Sequence, residues 1–320
     1  MDIETITARV LNGAQISREE ALFLYEQPLA ALSEHADRIR QAFCGDAFDL
    51  CTIINAKSGR CSENCAFCAQ SAHHHTGATE YPLLSTEEIV AQAQINHDQG
   101  VLRFSLVTSG KRLSDTEVEQ ICDTVRAIRR EVGIAVCVSV GLLDEANFCK
   151  LKAAGVSRVH NNLETSRRYF PNVCTTHSFD DKVQAIRAAQ AAGLEVCSGG
   201  IMGLGETPED RIDLALSLRV LGVKSMPVNL LNPIPGTPLA ANATPSADEL
   251  RRCVAVFRFI LPDAAIRLAG GRGLLPDKGR NCFRAGANAA ISGNMLTTSG
   301  ITTATDRALL DDLGYSVRFS

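Results

Sequence analysis

Three cysteines, Cys61, Cys65 and Cys68, lie within the run Cys-Ser-Glu-Asn-Cys-Ala-Phe-Cys. Thiols at spacings of four and three residues can wrap a compact loop around one inorganic cluster, and soft thiolates suit iron–sulfur chemistry. Three protein donors leave one iron of a four-iron cluster without a protein ligand, free to take a small chelating molecule. The competing reading is a closed zinc loop, in which His73, His74 or His75 completes a tetrahedron. Zinc loops more often use two-residue gaps in paired knuckles, so the cluster reading is preferred. The histidine run is then a solvated loop.

The elements that position this loop follow from periodicity. From residue 45 onward, short strand-like runs alternate with amphipathic helical runs, the pattern of a parallel α/β fold. Candidate strands fall at 49–56, 103–107, 135–140, 158–163, 195–201, 226–231, 265–269 and 289–292. Ser85 with Glu88, Ser114 with Glu117, Ser178 with Asp181 and Ser246 with Glu249 have capping-box spacing, and Thr207 precedes Pro208 as an N-cap precedes a first-turn proline. Gly100, Gly133, Gly155, Gly193 and Gly222 stand where those helices stop. A right-handed series of such units closes into a (β/α)8 TIM-type barrel, with its active site at the C-terminal ends of the strands. The cysteine loop sits just there, after the first strand. Residues 1–44 are expected as a helical N-terminal extension, and 45–320 as the barrel with a C-terminal helix.

At 320 residues and 45% apolar content the chain buries a large core. Its formal charge of −4 gives no overall basic field to draw nucleic acid or anionic lipid, so a small soluble substrate is the default partner. No run of about 18 apolar residues exists to span a bilayer. Residues 1–10 carry two acids and no basic apolar signal segment, so a cytoplasmic location is expected. Twelve cysteines are many for a reducing compartment and point to clusters, metals or reactive thiols. Cys122, Cys149 and Cys253 lie in apolar helical patterns and are read as packing residues.

With Phe67 immediately before its last cysteine, the triplet resembles the signature of the radical S-adenosylmethionine superfamily. The resemblance implies a 4Fe-4S cluster on Cys61, Cys65 and Cys68. Its open iron chelates S-adenosylmethionine, which is cleaved to methionine and a 5′-deoxyadenosyl radical. Over residues 48–313 the chain is similar to the biotin synthase family. The carrying segments are Cys65-Ala66-Phe67-Cys68-Ala69-Gln70-Ser71, Asn161-Asn162-Leu163-Glu164-Thr165-Ser166, Val196-Cys197-Ser198-Gly199-Gly200-Ile201, Gly203-Leu204-Gly205-Glu206-Thr207, Gly236-Thr237-Pro238-Leu239 and Ala285-Gly286-Ala287-Asn288. That family inserts sulfur into dethiobiotin, the last step of biotin biosynthesis. The resemblance therefore implies a second iron–sulfur cluster, 2Fe-2S or larger, deep in the barrel as sulfur donor.

By the same resemblance Cys137, Cys197 and Arg267 hold the second cluster, while the remaining cysteine position of the family falls on Ser105. Serine is a poor iron ligand beside thiolate. Either Ser105 is an unusual oxygen donor, or Cys51 or Cys174 takes its place, and Arg267 either ligates the cluster or balances a carboxylate. For S-adenosylmethionine the resemblance implies Phe67, Asn162, Glu164, Ser198, Gly199, Gly200 and Ile201, with Lys182 where the family usually has arginine. For dethiobiotin it implies Asn162 and Asn229. It further implies an electron donor such as flavodoxin or ferredoxin, iron–sulfur assembly proteins and a homodimer. Two rivals remain. A related radical enzyme, such as a hydrogenase-cofactor maturase or a lysine-rearranging mutase, need not keep Cys137, Cys197 and Asn229 together. A non-enzymatic iron–sulfur carrier or redox sensor needs exposed labile thiols and has no use for the Ser-Gly-Gly strand.

Overall fold

Side chains in Ala47–Lys57 (β1) alternate between two environments. Phe48 and Leu50 enter the hydrophobic core, whereas Cys51 and Ile53 line an internal cavity. The same alternation recurs in Arg103–Thr108 (β2), Ala135–Ser139 (β3), Val156–His160 (β4), Glu195–Cys197 (β5), Gly200–Met202 (β6), Ser225–Leu230 (β7), Ala265–Leu268 (β8) and Ala289–Ser292 (β9). All pair in parallel in the order β1-β2-β3-β4-β5-β7-β8-β9, β9 closes on β1, and β6 extends the β5 position beside β7. The result is the eight-position barrel predicted from the sequence, seen in a computed structural model that describes residues 2–319.

The single strand expected at 195–201 is two segments. At the break, a Cβ on Gly199 would lie 1.9 Å from the Pro227 carbonyl oxygen, so the backbones approach too closely for a regular ladder. The expected strand at 158–163 runs only to His160, and beyond it Glu164 takes a left-handed conformation, φ 68°. A short Ser316–Val317 strand (β10), absent from the sequence reading, adds to the start of β1.

Helices Ile3–Leu11 (α1), Arg18–Tyr25 (α2) and Leu29–Cys44 (α3) precede the barrel. Leu24, Leu32 and Ile39 share one buried core with Val254 and Phe257 of Ala247–Ile260. The boxes at Ser85, Ser114 and Ser178 form as expected, and Thr207 caps a helix whose first turn holds Pro208. At Ser246 only half the box forms: Ser246 accepts from the Glu249 amide, while the Glu249 carboxylate accepts from Arg211 and Tyr25 instead. Cys122 and Cys253 pack as expected, but Cys149 is exposed. In Glu145–Ala154 the buried face is set by Asn147, Phe148, Leu151 and Ala154, and Cys149 points away from it. Among the described residues no helix is long and apolar enough to cross a membrane.

Candidate active site

Beyond β1 the chain turns through Gly59, φ 79°, and Arg60, φ 51°, into the cysteine loop. The loop is fixed by its own backbone: Cys61 N donates to Gln70 O (3.1 Å), Ala72 N to Cys61 O (2.8 Å) and Cys68 N to Cys65 O (3.0 Å). Ala66 N reaches Val173 O at 2.8 Å, pinning the loop to the segment after β4. Cys61, Cys65 and Cys68 are part-exposed and line the mouth of a cavity of about 400 Å³. The zinc reading with the histidine run is not supported. The ring nitrogens of His73 and His74 pair with the carbonyls of Ser62 (3.0 Å) and Cys65 (3.1 Å), and no histidine of the run joins the sulfurs.

The same cavity reaches down to Cys51, Ser105, Cys137, Cys197 and Arg267. Strand register explains their meeting: Ser105 pairs with Cys137, Cys137 with Arg158, and His160 with Cys197. Arg267 Nη1 donates to Cys51 Sγ at 3.1 Å and to the Asp49 carbonyl at 2.8 Å. Asp49 Oδ2 lies 2.9 Å from Arg267, 3.2 Å from Arg158 and 3.5 Å from Arg103. Burial opposes its charge, yet these guanidiniums hold its carboxyl down at about 2. Burial pushes the Cys51 thiol up to about 12, against the pull of Arg267. Cys197 is also buried, but a hydrogen bond from His160 and the charges of His160, Arg267 and Arg158 bring it down to about 6.

This floor suits an anionic sulfur-ligated group. The thiols of Cys51, Cys137 and Cys197 are buried beside these guanidiniums. Three largely buried guanidiniums face one buried carboxylate, with only the exposed Glu195 added at its rim. A buried excess of positive charge calls for a compensating anion. At the mouth, the donor set of three thiolates on one loop suits a four-iron cluster with one open iron.

On the wall between mouth and floor, Phe67, Asn162, Glu164, Lys182, Ile201 and Asn229 line the cavity. Asn162 Oδ1 accepts from Gly199 N at 3.0 Å, and Lys182 Nζ donates to Asn161 Oδ1 at 3.2 Å. Burial raises the Glu164 carboxyl above its ordinary range against the opposing charge of Lys182, and its Oε2 has no partner. Asn229 is already engaged: its Nδ2 donates to Gly200 O (3.0 Å) and its Oδ1 accepts from Gly270 N (2.8 Å). One N–H and one lone pair of that amide stay free for a ligand.

Ser198, Gly199 and Gly200 do not line the cavity. Their smallness answers neighbouring backbone: a Cβ at Gly200 would lie 2.3 Å from Glu164 O, as one at Gly199 would strike Pro227 O. Cys174 is likewise placed elsewhere than expected. It lies behind Cys65, grouped with His177, and not with the floor cysteines. Asp49, Arg103, Arg158 and His160 were not singled out from the sequence. Alternation offered the signal, since each is two residues, or an even number, from a flagged position or partner on its strand.

The chain matches the radical SAM superfamily over residues 56–218 and the biotin and thiamin synthesis associated domain over residues 227–316. It is 59% identical to biotin synthase 2 of Corynebacterium diphtheriae, over 98% of this chain and 96% of that one. It is 57% identical to the biotin synthase of Akkermansia muciniphila, over 98% of each. Among solved structures, methylornithine synthase superposes with TM-score 0.84 at 21% identity, covering 98% of this chain and 97% of its own. The FeFe-hydrogenase maturase of Carboxydothermus hydrogenoformans gives TM-score 0.84 at 19% identity, covering 99% of this chain and 79% of its own. At such identities the structural likeness concerns the fold alone.

Proposed function

Because the chain belongs to the biotin synthase family, which converts dethiobiotin to biotin with S-adenosylmethionine as oxidant, we propose a residue assignment for that reaction. Cys61, Cys65 and Cys68 hold the 4Fe-4S cluster, and Cys51, Cys137 and Cys197 hold the second cluster. The observation that carries this reading is the one cavity that takes in both cysteine sets, with the arginine floor beneath. When bound, the four-iron cluster supplies the electron that cleaves S-adenosylmethionine, and the second cluster supplies sulfur.

The chain's own residues bind, orient and exclude water. Glu164 and Asn162 offer a carboxylate and an amide to the hydroxyls of the adenosyl ribose, and Ile201 with Phe67 offers apolar contact. Lys182 brings a positive charge to the carboxylate of the amino acid moiety, without the bidentate fork of arginine. The free N–H and lone pair of Asn229 suit the ureido ring of dethiobiotin. Arg267, committed to Asp49 and to Cys51, acts as counter-ion to the floor thiolates. No side-chain base can remove a proton from an unactivated carbon, so the walls only hold the substrate between the two metal ends.

A hydrogenase-cofactor maturase role loses its support, since relatives at 57–59% identity over nearly the full length are biotin synthases. The same relatives argue against a non-enzymatic carrier. Electron supply by flavodoxin or ferredoxin, iron–sulfur assembly partners and a homodimer rest on the family resemblance, and a cytoplasmic location on the sequence reading of residues 1–10. The test of the central assignment is substitution of Cys61, Cys65 or Cys68 by Ala. Each is expected to abolish 5′-deoxyadenosine formation, and retained formation in any of them overturns it.

A further inference from the structure

Behind the mouth loop, Cys174 and His177, which the sulfur-insertion reaction does not use, meet Cys65 of the loop. The sulfurs of Cys65 and Cys174 and a ring nitrogen of His177 all lie within 4.8 Å of one another, the one such group among the described residues. Cys174 Sγ is 3.3 Å from His177 Nδ1, and Glu63 Oε2 is 2.6 Å from the same nitrogen. Cys174, His177 and Glu63 are buried. The imidazole is held further by the Phe170 ring, edge-on at 5.6 Å between centroids, and Thr176 Oγ1 donates to Glu63 at 2.8 Å.

We propose that Cys65, Cys174 and His177 form a zinc site in the cluster-free chain, and that this site excludes the four-iron cluster. Two thiolates and an imidazole are the donor set of a tetrahedral, borderline-soft d10 ion, and three protein ligands leave the fourth position to water or to the neighbouring Glu63. The groups are preorganised. Cys174 Sγ is fixed by Asn64 Oδ1 and Thr176 Oγ1, each 3.4 Å away. The cation takes the place of the proton that Cys174 and Glu63 share on His177 Nδ1. Since Cys65 serves both metals, a zinc-loaded chain lacks one thiolate of the catalytic triplet. The loop then has two metal states, only one of them competent to bind S-adenosylmethionine. The site itself stands on this geometry and not on the sulfur-insertion reading.

Full-length chain, freed of iron and kept reduced under anaerobic conditions, is titrated with Co2+ and then Zn2+. One Co2+ per chain is expected, with the intense visible bands of tetrahedral thiolate-bound cobalt, bleached by one equivalent of Zn2+. Cys174→Ala and His177→Ala should each lose the bands, while Cys61→Ala and Cys68→Ala keep them. Glu63→Gln should weaken binding through loss of the carboxylate that neighbours the fourth position. Circular dichroism checks folding, and the nearly isosteric Cys174→Ser carries the test if Cys174→Ala is unfolded. Prior loading with Zn2+ should block appearance of the four-iron spectrum on reconstitution. Absence of the cobalt bands in the parent chain, their survival in Cys174→Ser, or their loss in Cys61→Ala overturns the site. A four-iron cluster that forms normally alongside bound zinc overturns the exclusion.

Discussion

Arg267 donates to the sulfur of Cys51 at 3.1 Å, across the intervening β9 strand. This joins the arginine expected at the second cluster to a cysteine the family resemblance did not require, two residues from the register partner of Ser105. If Cys51 supplies the missing ligand, Cys51→Ser should lose the second cluster and keep the first. Iron and sulfide counts with Mössbauer spectra check this. Adding Ser105→Cys should restore part of the lost iron, because Ser105 lines the same cavity opposite Cys137. Were Cys51 only a packing residue, the serine would cost about 1–3 kcal/mol with both clusters intact.

Asn229 has two tasks with separable readouts. Its amide clips β6 to the turn after β8 through Gly200 O and Gly270 N, so Asn229→Ala leaves two backbone groups without their partner. A stability loss of about 1–3 kcal/mol by urea denaturation is expected. Dethiobiotin affinity measured by equilibrium dialysis should fall by about tenfold or more, about 1.4 kcal/mol. The four-iron spectrum should be unchanged. Loss of that spectrum would reassign Asn229 to a purely architectural role.

The barrel was legible because its signals are local: caps at Ser85, Ser114, Ser178 and Thr207, glycine stops, and strand runs at regular intervals. The mouth loop was legible because Cys61, Cys65 and Cys68 are close in sequence. The floor was only partly so. Asp49, Arg103, Arg158 and Arg267 come from four strands and meet only once the barrel closes, so no spacing announces their ion pairs. Cys174 and Glu63 are separated by more than a hundred residues, and their common partner His177 is seen only when Ala66 docks on Val173.

Gly199 separates a strand-packing role from an adenosine-contacting one. Its missing Cβ would fall 1.9 Å from Pro227 O, a rigid backbone atom. Gly199→Ala should therefore destabilise the cluster-free protein by about 3 kcal/mol, the upper end for overpacking, read as a lowered thermal midpoint. The adjacent Ser198 hydroxyl is buried with no partner, so Ser198→Ala should be neutral or mildly stabilising. A stable Gly199→Ala protein that fails only to bind S-adenosylmethionine would return this residue to the cofactor.

Asp49 gives a pH-dependent prediction whose sign can be worked out. Arg267, Arg158 and Arg103 overcome burial and hold its carboxyl at about 2 in the folded chain, below its value when unfolded. A depressed folded value adds stability that is complete above the unfolded titration, near pH 4, and is lost as pH falls through about 2. The contribution is on the order of 2–3 kcal/mol. Asp49→Asn removes it and also leaves three guanidiniums facing one another, so the full cost at neutral pH should be about 3–5 kcal/mol. Urea midpoints of the cluster-free parent and variant, compared from pH 7 to pH 2, should differ most at neutral pH and converge below about pH 4. The gap narrows because below about pH 4 the carboxyl of the unfolded parent takes up a proton, whereas that of the folded parent, held at about 2, does so only near pH 2. A gap that stays constant over that range would mean that Asp49 does not carry the charge balance of the barrel floor.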